Sequence, residues 1–282
     1  MTIRSLAGIG KEPPLLKLEN LSLNDDNGRS IVTSVSLNVA AGQTIGIVGE
    51  SGSGKSMLCK SILGILPGGV SITSGSIHFN GTDLSRLSFS AWRQIRGPRI
   101  AAIFQDPASY LNPSIPVGRQ VAEVFFAHRR ASRKASRLNA LKLLEAVSLR
   151  DPELVYNRYS FELSGGMLQR IAIAAAVAIE PELLIADEAT TALDVTVQAD
   201  ILDLLFQLRT TLNLAVIFVS HDLAVIAQVS DHIIVMRNGQ IVEQGHPERV
   251  LLQPEHPYTR GLVDSHHRFG IEQFVRQRRV NA

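Results

Sequence analysis

Apolar and polar positions along the chain fall into three regimes. From Leu15 to Leu23 they alternate in part, break at Asn24-Asp25-Asp26-Asn27-Gly28, and alternate again from Ile31 to Val39. This predicts half-buried antiparallel strands joined by a turn. A short apolar run from Thr44 to Val48 then leads through a glycine-rich stretch, Gly49 to Gly54, into helix-compatible spacing from Lys55 to Leu66. Between about Ser85 and Asp151 the alternation disappears. Arginines cluster from Trp92 to Arg99, prolines mark a loop around Pro107 and Pro113, and helical spacing runs from Val117 to Leu149, so an inserted, mainly helical lobe is expected. After Pro181 strand and helix alternate: strand Leu183 to Ala186, helix Val197 to Leu208, strand Ala215 to Val219 and helix Leu223 to Val229. Strands Ile233 to Met236 and Ile241 to Glu243 follow, around the Asn238-Gly239 turn. The class is α/β. The organisation expected is a lead-in over 1–14, a core built from 15–84 and 166–245, a helical subdomain over 85–165 and a tail over 246–282, with no element assigned beyond Pro254.

Composition narrows the classes. The chain has 282 residues, 45% of them hydrophobic, which is enough to bury a sizeable core and excludes intrinsic disorder. Its one cysteine, Cys59, can make no intrachain disulfide and cannot supply a thiolate-ligated zinc or iron-sulfur site. Lys and Arg outnumber Asp and Glu only 28 to 26, so charge does not point to a nucleic-acid partner. The longest apolar run, Ile171 to Ile179, stops at Glu180-Pro181-Glu182, well short of a membrane span, and the first twenty residues carry Arg4, Lys11, Glu12, Pro13, Pro14 and Lys17. A cytoplasmic chain is expected. The basic run Arg129, Arg130, Arg133, Lys134 and Arg137 reads as a solvated helix face.

The chemistry concentrates in two segments. Gly49-Glu50-Ser51-Gly52-Ser53-Gly54-Lys55-Ser56 fits G-x-x-x-x-G-K-[ST] between a strand and a helix, the context that phosphate-binding pattern requires. Glycines let backbone N–H groups curl around phosphate oxygens, the helix N-terminus adds positive potential, Lys55 neutralises β- and γ-phosphate charge, and the Ser56 hydroxyl can ligate Mg²⁺. The segment resembles a P-loop NTPase (RecA-like) core, and with the flanking patterns this implies such a core with an antiparallel β subdomain and an inserted helical subdomain. The run Leu183-Leu184-Ile185-Ala186 then delivers Asp187-Glu188 at the binding edge of a parallel sheet. Two acids there are costly without a cation or substrate. Asp187 is the expected Mg²⁺ holder and Glu188 the general base for the attacking water.

Leu163-Ser164-Gly165-Gly166-Met167-Leu168-Gln169-Arg170 resembles the signature motif of ATP-binding cassette (ABC) ATPases. The resemblance, which covers about residues 15 to 260, implies that Ser164, Gly165 and Gly166 cap the γ-phosphate of ATP bound by a partner subunit. It implies that Gln105, in Ile103-Phe104-Gln105-Asp106-Pro107, is the glutamine that contacts Mg²⁺ or water and links core to helical lobe. Asp194, in Ala192-Leu193-Asp194, resembles the aspartate at the dimer seam, and His221, in Val219-Ser220-His221-Asp222, the switch histidine facing γ-phosphate. Two departures stand out. No Phe, Tyr or Trp precedes Phe79, so adenine is expected on aliphatic groups such as Leu23 or Ile31, with weaker base selectivity. The family's common proline after the catalytic Glu is here Ala189.

Narrower blocks resemble the ATPase subunits of peptide/nickel importers: Gln105-Asp106-Pro107 through Leu111-Asn112-Pro113, Thr191 to Gln198, and His256-Pro257-Tyr258-Thr259. The resemblance implies ATP and Mg²⁺ as cofactors, integral membrane permease subunits docking in a groove floored by Gln105 to Pro113, and a second ATPase subunit closing an ATP sandwich. A substrate-binding protein acts indirectly, no nucleic acid is involved, and the chain sits peripherally on the cytoplasmic face of the inner membrane. A soluble ABC ATPase acting on ribosomes or nucleic acid is the alternative, and a P-loop small-molecule kinase a third possibility that the signature block disfavours.

Overall fold

The computed structural model describes residues 13–129, 131–190 and 194–267. In chain order it runs β1 (Leu16–Asp25), β2 (Ser30–Val39), β3 (Thr44–Val48), α1 (Lys55–Ile62), β4 (Val70–Phe79), β5 (Thr82–Asp83), α2 (Phe89–Ile95) and β6 (Ile100–Ile103). Then come α3 (Pro107–Tyr110), α4 (Val117–Arg129), α5 (Arg133–Ala146), α6 (Pro152–Tyr156), α7 (Gly165–Val177), β7 (Leu183–Asp187) and α8 (Val195–Leu212). The chain continues through β8 (Ala215–Ser220), α9 (Leu223–Val229), β9 (His232–Arg237), β10 (Gln240–Gly245), α10 (Pro247–Leu252) and α11 (Pro257–His267).

The strands form two sheets. An antiparallel sheet has the order β2-β1-β4-β5, and a six-stranded sheet has the order β10-β9-β3-β8-β7-β6, in which β9, β3, β8, β7 and β6 are parallel and β10 alone is antiparallel. Strands β3, β7 and β8 are buried at every position, as the unbroken apolar runs require when both faces of a parallel sheet are covered. One apolar cluster lies on the face covered by α7, α8 and α9, and a second joins the other face to the antiparallel sheet and α1.

The partial alternation of the first strands has a physical cause. Asn20 in β1, Ser34 in β2 and Gly75 in β4 all have left-handed backbone, with φ of 47°, 51° and 84°. Each inserts a bulge, and the buried parity flips across it: Leu16 and Leu18 change to Leu21 and Leu23, and Val32 changes to Val35 and Leu37. The same bulge hides the period of β4, for which the pattern predicts no element. At Gly75 a Cβ would lie 2.4 Å from the Glu19 carbonyl oxygen, so only glycine lets the two backbones approach.

Helix α1 ends four residues before the predicted Leu66. Gly64, at φ 62°, closes a Schellman motif in which Ile65 N–H donates to Lys60 O and Gly64 N–H to Ser61 O. Conversely α8 extends beyond the predicted span at both ends, from Val195, behind an Asp194 cap, to Leu212. Segment 85–165 is not helical throughout, because Ile100–Ile103 inserts as the edge strand of the six-stranded sheet beside β7. Four residues are too few for periodicity to register. In the basic run, Arg129 pairs with Glu180 at 2.9 Å, and Arg137 pairs with Glu153 at 2.6 Å and covers the Tyr156 ring. These are surface pairs, as expected of a solvated helix face, while Arg130 lies outside the described residues. Among the described residues no helix is long and apolar enough to cross a membrane.

Candidate nucleotide site

Strand register gathers the predicted residues at one edge. Val48 pairs with Ser220, Val219 with Asp187, and Ala186 with Ile103, all in parallel. The segments leaving those strand ends carry Gly49–Ser56, His221, Asp187-Glu188 and Gln105. They therefore start side by side outside the carboxyl ends of the strands, where α/β sheets bind ligands.

In the loop, Gly49 passes under β9, where a Cβ would come within 2.1 Å of Met236 O. Gly54, at φ 99°, caps α1 against β2, with a Cβ position only 2.9 Å from Ile31 O. Gly52, at φ 80°, faces open space beside exposed Ser51. The β9–β10 turn fastens the loop from outside: Gly239 N–H donates to Ser53 O at 3.1 Å, and Thr33 N–H donates to Gly239 O at 2.8 Å. Lys55 is 4% exposed. Its ammonium turns back into the loop, donating to Gly49 O at 2.7 Å, Glu50 O at 2.8 Å and Ser53 Oγ at 3.3 Å. Burial pushes this ammonium below its ordinary range, and the Glu188 and Asp187 charges oppose that shift.

Asp187 is 6% exposed and accepts a hydrogen bond from Ser56 Oγ at 3.1 Å. Burial raises its carboxyl above the usual range; the Ser56 hydroxyl acts against this, and the neighbouring Glu188 charge adds to it. Glu188 adopts φ 52°, a left-handed conformation that costs a non-glycine residue free energy, and its N–H donates to Val219 O at 3.0 Å. That backbone hydrogen bond ties Glu188 to β8, and His221 Nδ1 lies 3.9 Å from Glu188 Oε1. His221 and Gln105 are both exposed. Ala189, in the place of the common proline, is buried.

The signature-type residues stand apart. Ser164 caps α7, its Oγ accepting from Met167 N–H, and both Ser164 and Gly165 face solvent. Gly166 lies against Val197 at the start of α8, where a Cβ would be 2.7 Å away. Among the described residues no hydrogen bond joins Ser164, Gly165 or Gly166 to the phosphate loop. Asp194 is an exposed N-cap, accepting from Val197 N–H at 3.0 Å; Thr191, Ala192 and Leu193 before it lie outside the described residues. Of the two aliphatic groups expected to meet adenine, Leu23 is fully buried in the second cluster and cannot, because the bulge at Asn20 turns it inward. Ile31, half-buried beside Gly54, keeps a place next to the loop. Tyr258 is a site residue the sequence does not announce: its hydroxyl accepts from Glu50 N–H at 2.9 Å. The His256-to-Thr259 block marks it, but nothing in the spacing ties it to a loop more than two hundred residues earlier.

Comparison with known proteins agrees with this geometry. A family model described as "ABC transporter" matches residues 32–191. The dipeptide transport ATP-binding protein DppD of Bacillus subtilis is 46% identical over 235 residues, which are 83% of this chain and 70% of that protein. The metal-staphylopine import system ATP-binding protein CntD of Staphylococcus aureus is 41% identical over 252 residues, 89% of this chain and 93% of that one. Among solved structures, the ATP-binding cassette MJ0796, in a dimeric post-hydrolysis state bound to ADP and Pi, superposes with a TM-score of 0.73 at 27% identity, covering 82% of this chain and 98% of the other. A phosphate loop on this sheet edge, in a chain so closely related to transporter ATPases along most of its length, leads to one conclusion: the chain belongs to the ABC transporter family, as an ATP-binding ATPase subunit.

Proposed function

We propose that this subunit powers an importer for peptides, or for nickel or a metal chelate, hydrolysing ATP at Gly49–Ser56 together with Asp187, Glu188, Gln105 and His221. The observation that carries the chemistry is the convergence of those residues on one sheet edge. The substrate class rests on likeness to the dipeptide and metal-staphylopine import subunits.

Lys55 exchanges the carbonyls of Gly49 and Glu50 for phosphate oxygens, which relieves a buried ammonium held only by neutral acceptors. A divalent cation fits the pair Ser56 Oγ and Asp187 Oδ1. They are hard oxygen donors already 3.1 Å apart, and Mg²⁺ needs few protein ligands when phosphates complete its shell. When bound, Mg²⁺ would neutralise developing charge on the phosphates. Glu188 takes the proton of the attacking water, and His221 lies close enough to steady its carboxylate. Exposed Ser164 and Gly165 at the α7 N-terminus are suited to capping the γ-phosphate of a second ATPase subunit. The dimeric form of the related cassette supports that arrangement.

Coupling to a permease runs through Gln105. Next to it an apolar groove with a cavity of about 400 Å³ lies between β6, α4 and α7, lined by Ile103, Phe104, Leu111 and Ala176, with Arg96 and His128 at its border. The Phe104 and Tyr110 rings stack 5.0 Å apart across the Gln105–Pro107 turn. A short permease helix in this groove would move that turn, and Gln105 with it. On this reading 15–84 and 166–245, with the edge strand Ile100–Ile103, form the ATP-binding core, and the rest of 85–165 is the coupling subdomain.

Glu188→Gln is expected to keep ATP affinity within about twofold and to lower turnover by at least ~100-fold, the scale of a lost general base; turnover near wild type would remove Glu188 from that role. Asp187→Asn should lose the extra ATP affinity that Mg²⁺ confers, yet melt higher than wild type without nucleotide at pH 7. The sign follows from the raised carboxyl: the cost of an ionised Asp187 is absent below its unfolded range near 4 and grows as pH rises through the folded value. The advantage of the Asn variant should therefore shrink as pH falls through the raised folded range toward the unfolded one, and a difference independent of pH would contradict it. Tagged chain recovered from detergent-solubilised membranes should carry a hydrophobic permease, whereas recovery with ribosomes or nucleic acid would favour the non-transport alternative.

A further inference from the structure

The C-terminal block reaches the phosphate loop from outside the sheet. Tyr258, in the first turn of α11, is 8% exposed. Its ring lies under the Arg237 guanidinium, 4.7 Å from the ring centroid, at the end of β9. Its own N–H donates to His256 Nδ1 at 3.1 Å, and the N–H groups of Glu255 and His256 donate to the Glu243 carboxylate of β10 at 2.9 and 3.0 Å. The tyrosine ring is therefore held by β9, and the backbone leading into it by β10. From that position its hydroxyl accepts the Glu50 N–H.

The Gly49–Glu50 peptide opens the loop's first turn. Its carbonyl, Gly49 O, accepts from Lys55 Nζ at 2.7 Å, while its N–H, that of Glu50, goes to Tyr258; the next carbonyl, Glu50 O, accepts from Lys55 Nζ at 2.8 Å and from Ser53 N–H at 3.1 Å. When Lys55 turns to a triphosphate, Gly49 O loses that donor and the Tyr258 bond remains to hold the plane of the Gly49–Glu50 peptide. Helix α11 also packs on α9, the helix that begins two residues after His221, with Val263 buried in the same cluster as Leu223 and Ile226. One tail segment thus braces both the loop and the helix after the switch histidine.

We infer that Tyr258 is a positioning residue for nucleotide binding, its hydroxyl holding the Gly49–Glu50 peptide so that the loop is preorganised for the triphosphate. This rests on the reading of Gly49–Ser56 as the ATP-binding loop. Tyr258→Phe keeps the ring, its packing and the Arg237 stacking, and removes only the acceptor.

The test is equilibrium ATP and GTP binding to the full chain, with melting of the nucleotide-free protein and turnover as controls. Tyr258→Phe should weaken ATP and GTP alike by about 3- to 10-fold, the effect of one hydrogen bond. Melting without nucleotide should stay within about 2 °C of wild type, since a small change in stability shifts a chain of this size little. In turnover the loss should appear in KM, with kcat at saturating ATP within about twofold. Binding unchanged by Tyr258→Phe, in a wild-type chain that does bind ATP, would overturn this inference alone. A loss confined to ATP, or one matched by a fall in nucleotide-free melting, would also overturn it, by assigning Tyr258 to the base or to the fold. A wild-type chain that binds neither nucleotide would instead overturn the reading of the loop.

Discussion

Two opposite charges buried at the carboxyl edge of one sheet, the Lys55 ammonium and the Asp187 carboxylate, constrain everything around them. Neither is paired directly with the other. Lys55 is held by carbonyls and a hydroxyl, and Asp187 by one hydroxyl, so both remain under-compensated for their burial. Their shifts run in the directions that disfavour charge. A polyanion with a divalent cation supplies what each lacks, which makes the site less stable alone than with its ligand and gives binding energy a place to act. The all-buried strands β3, β7 and β8 are what hold these groups away from water.

Around that pair the fold works as a set of braces on a flexible loop. Glycines at 49 and 54 allow the loop to approach β9 and β2 at distances that exclude a side chain. Gly239 ties it to the β9–β10 turn, and Tyr258 ties its first peptide to the tail. The antiparallel sheet brings Ile31 and Val32 against Gly54, so β2 forms part of the loop's outer wall. On the far side, the Gln105 turn connects the same edge to the apolar groove.

The sequence made legible what depends on local pattern. The loop, the acids after an apolar strand, and the succession of strands and helices along the chain after Pro181 all follow from residues close together in the chain. What it hid depends on geometry between distant segments. Leu23 looks available for adenine until the Asn20 bulge reverses its face, and β4 is masked by its own bulge at Gly75. β6 is too short to show a period, and only the sheet register shows that the segments carrying Gln105 and Glu188 leave neighbouring strands at the same edge. Tyr258 has a visible motif but no visible target, because the bond to Glu50 exists only once β9 and β10 have folded the tail back.

The dependence of the site on its buried lysine can be measured directly by melting the chain across an ATP titration. If Lys55 is the cation that gives the loop its response to triphosphate, the wild-type melting temperature should climb with ATP. The gain corresponds to about 2.7 kcal/mol at a hundredfold excess over Kd, or several degrees for a chain of this length. Lys55→Met should melt at one temperature over the same range. An equal climb in both proteins would contradict the account.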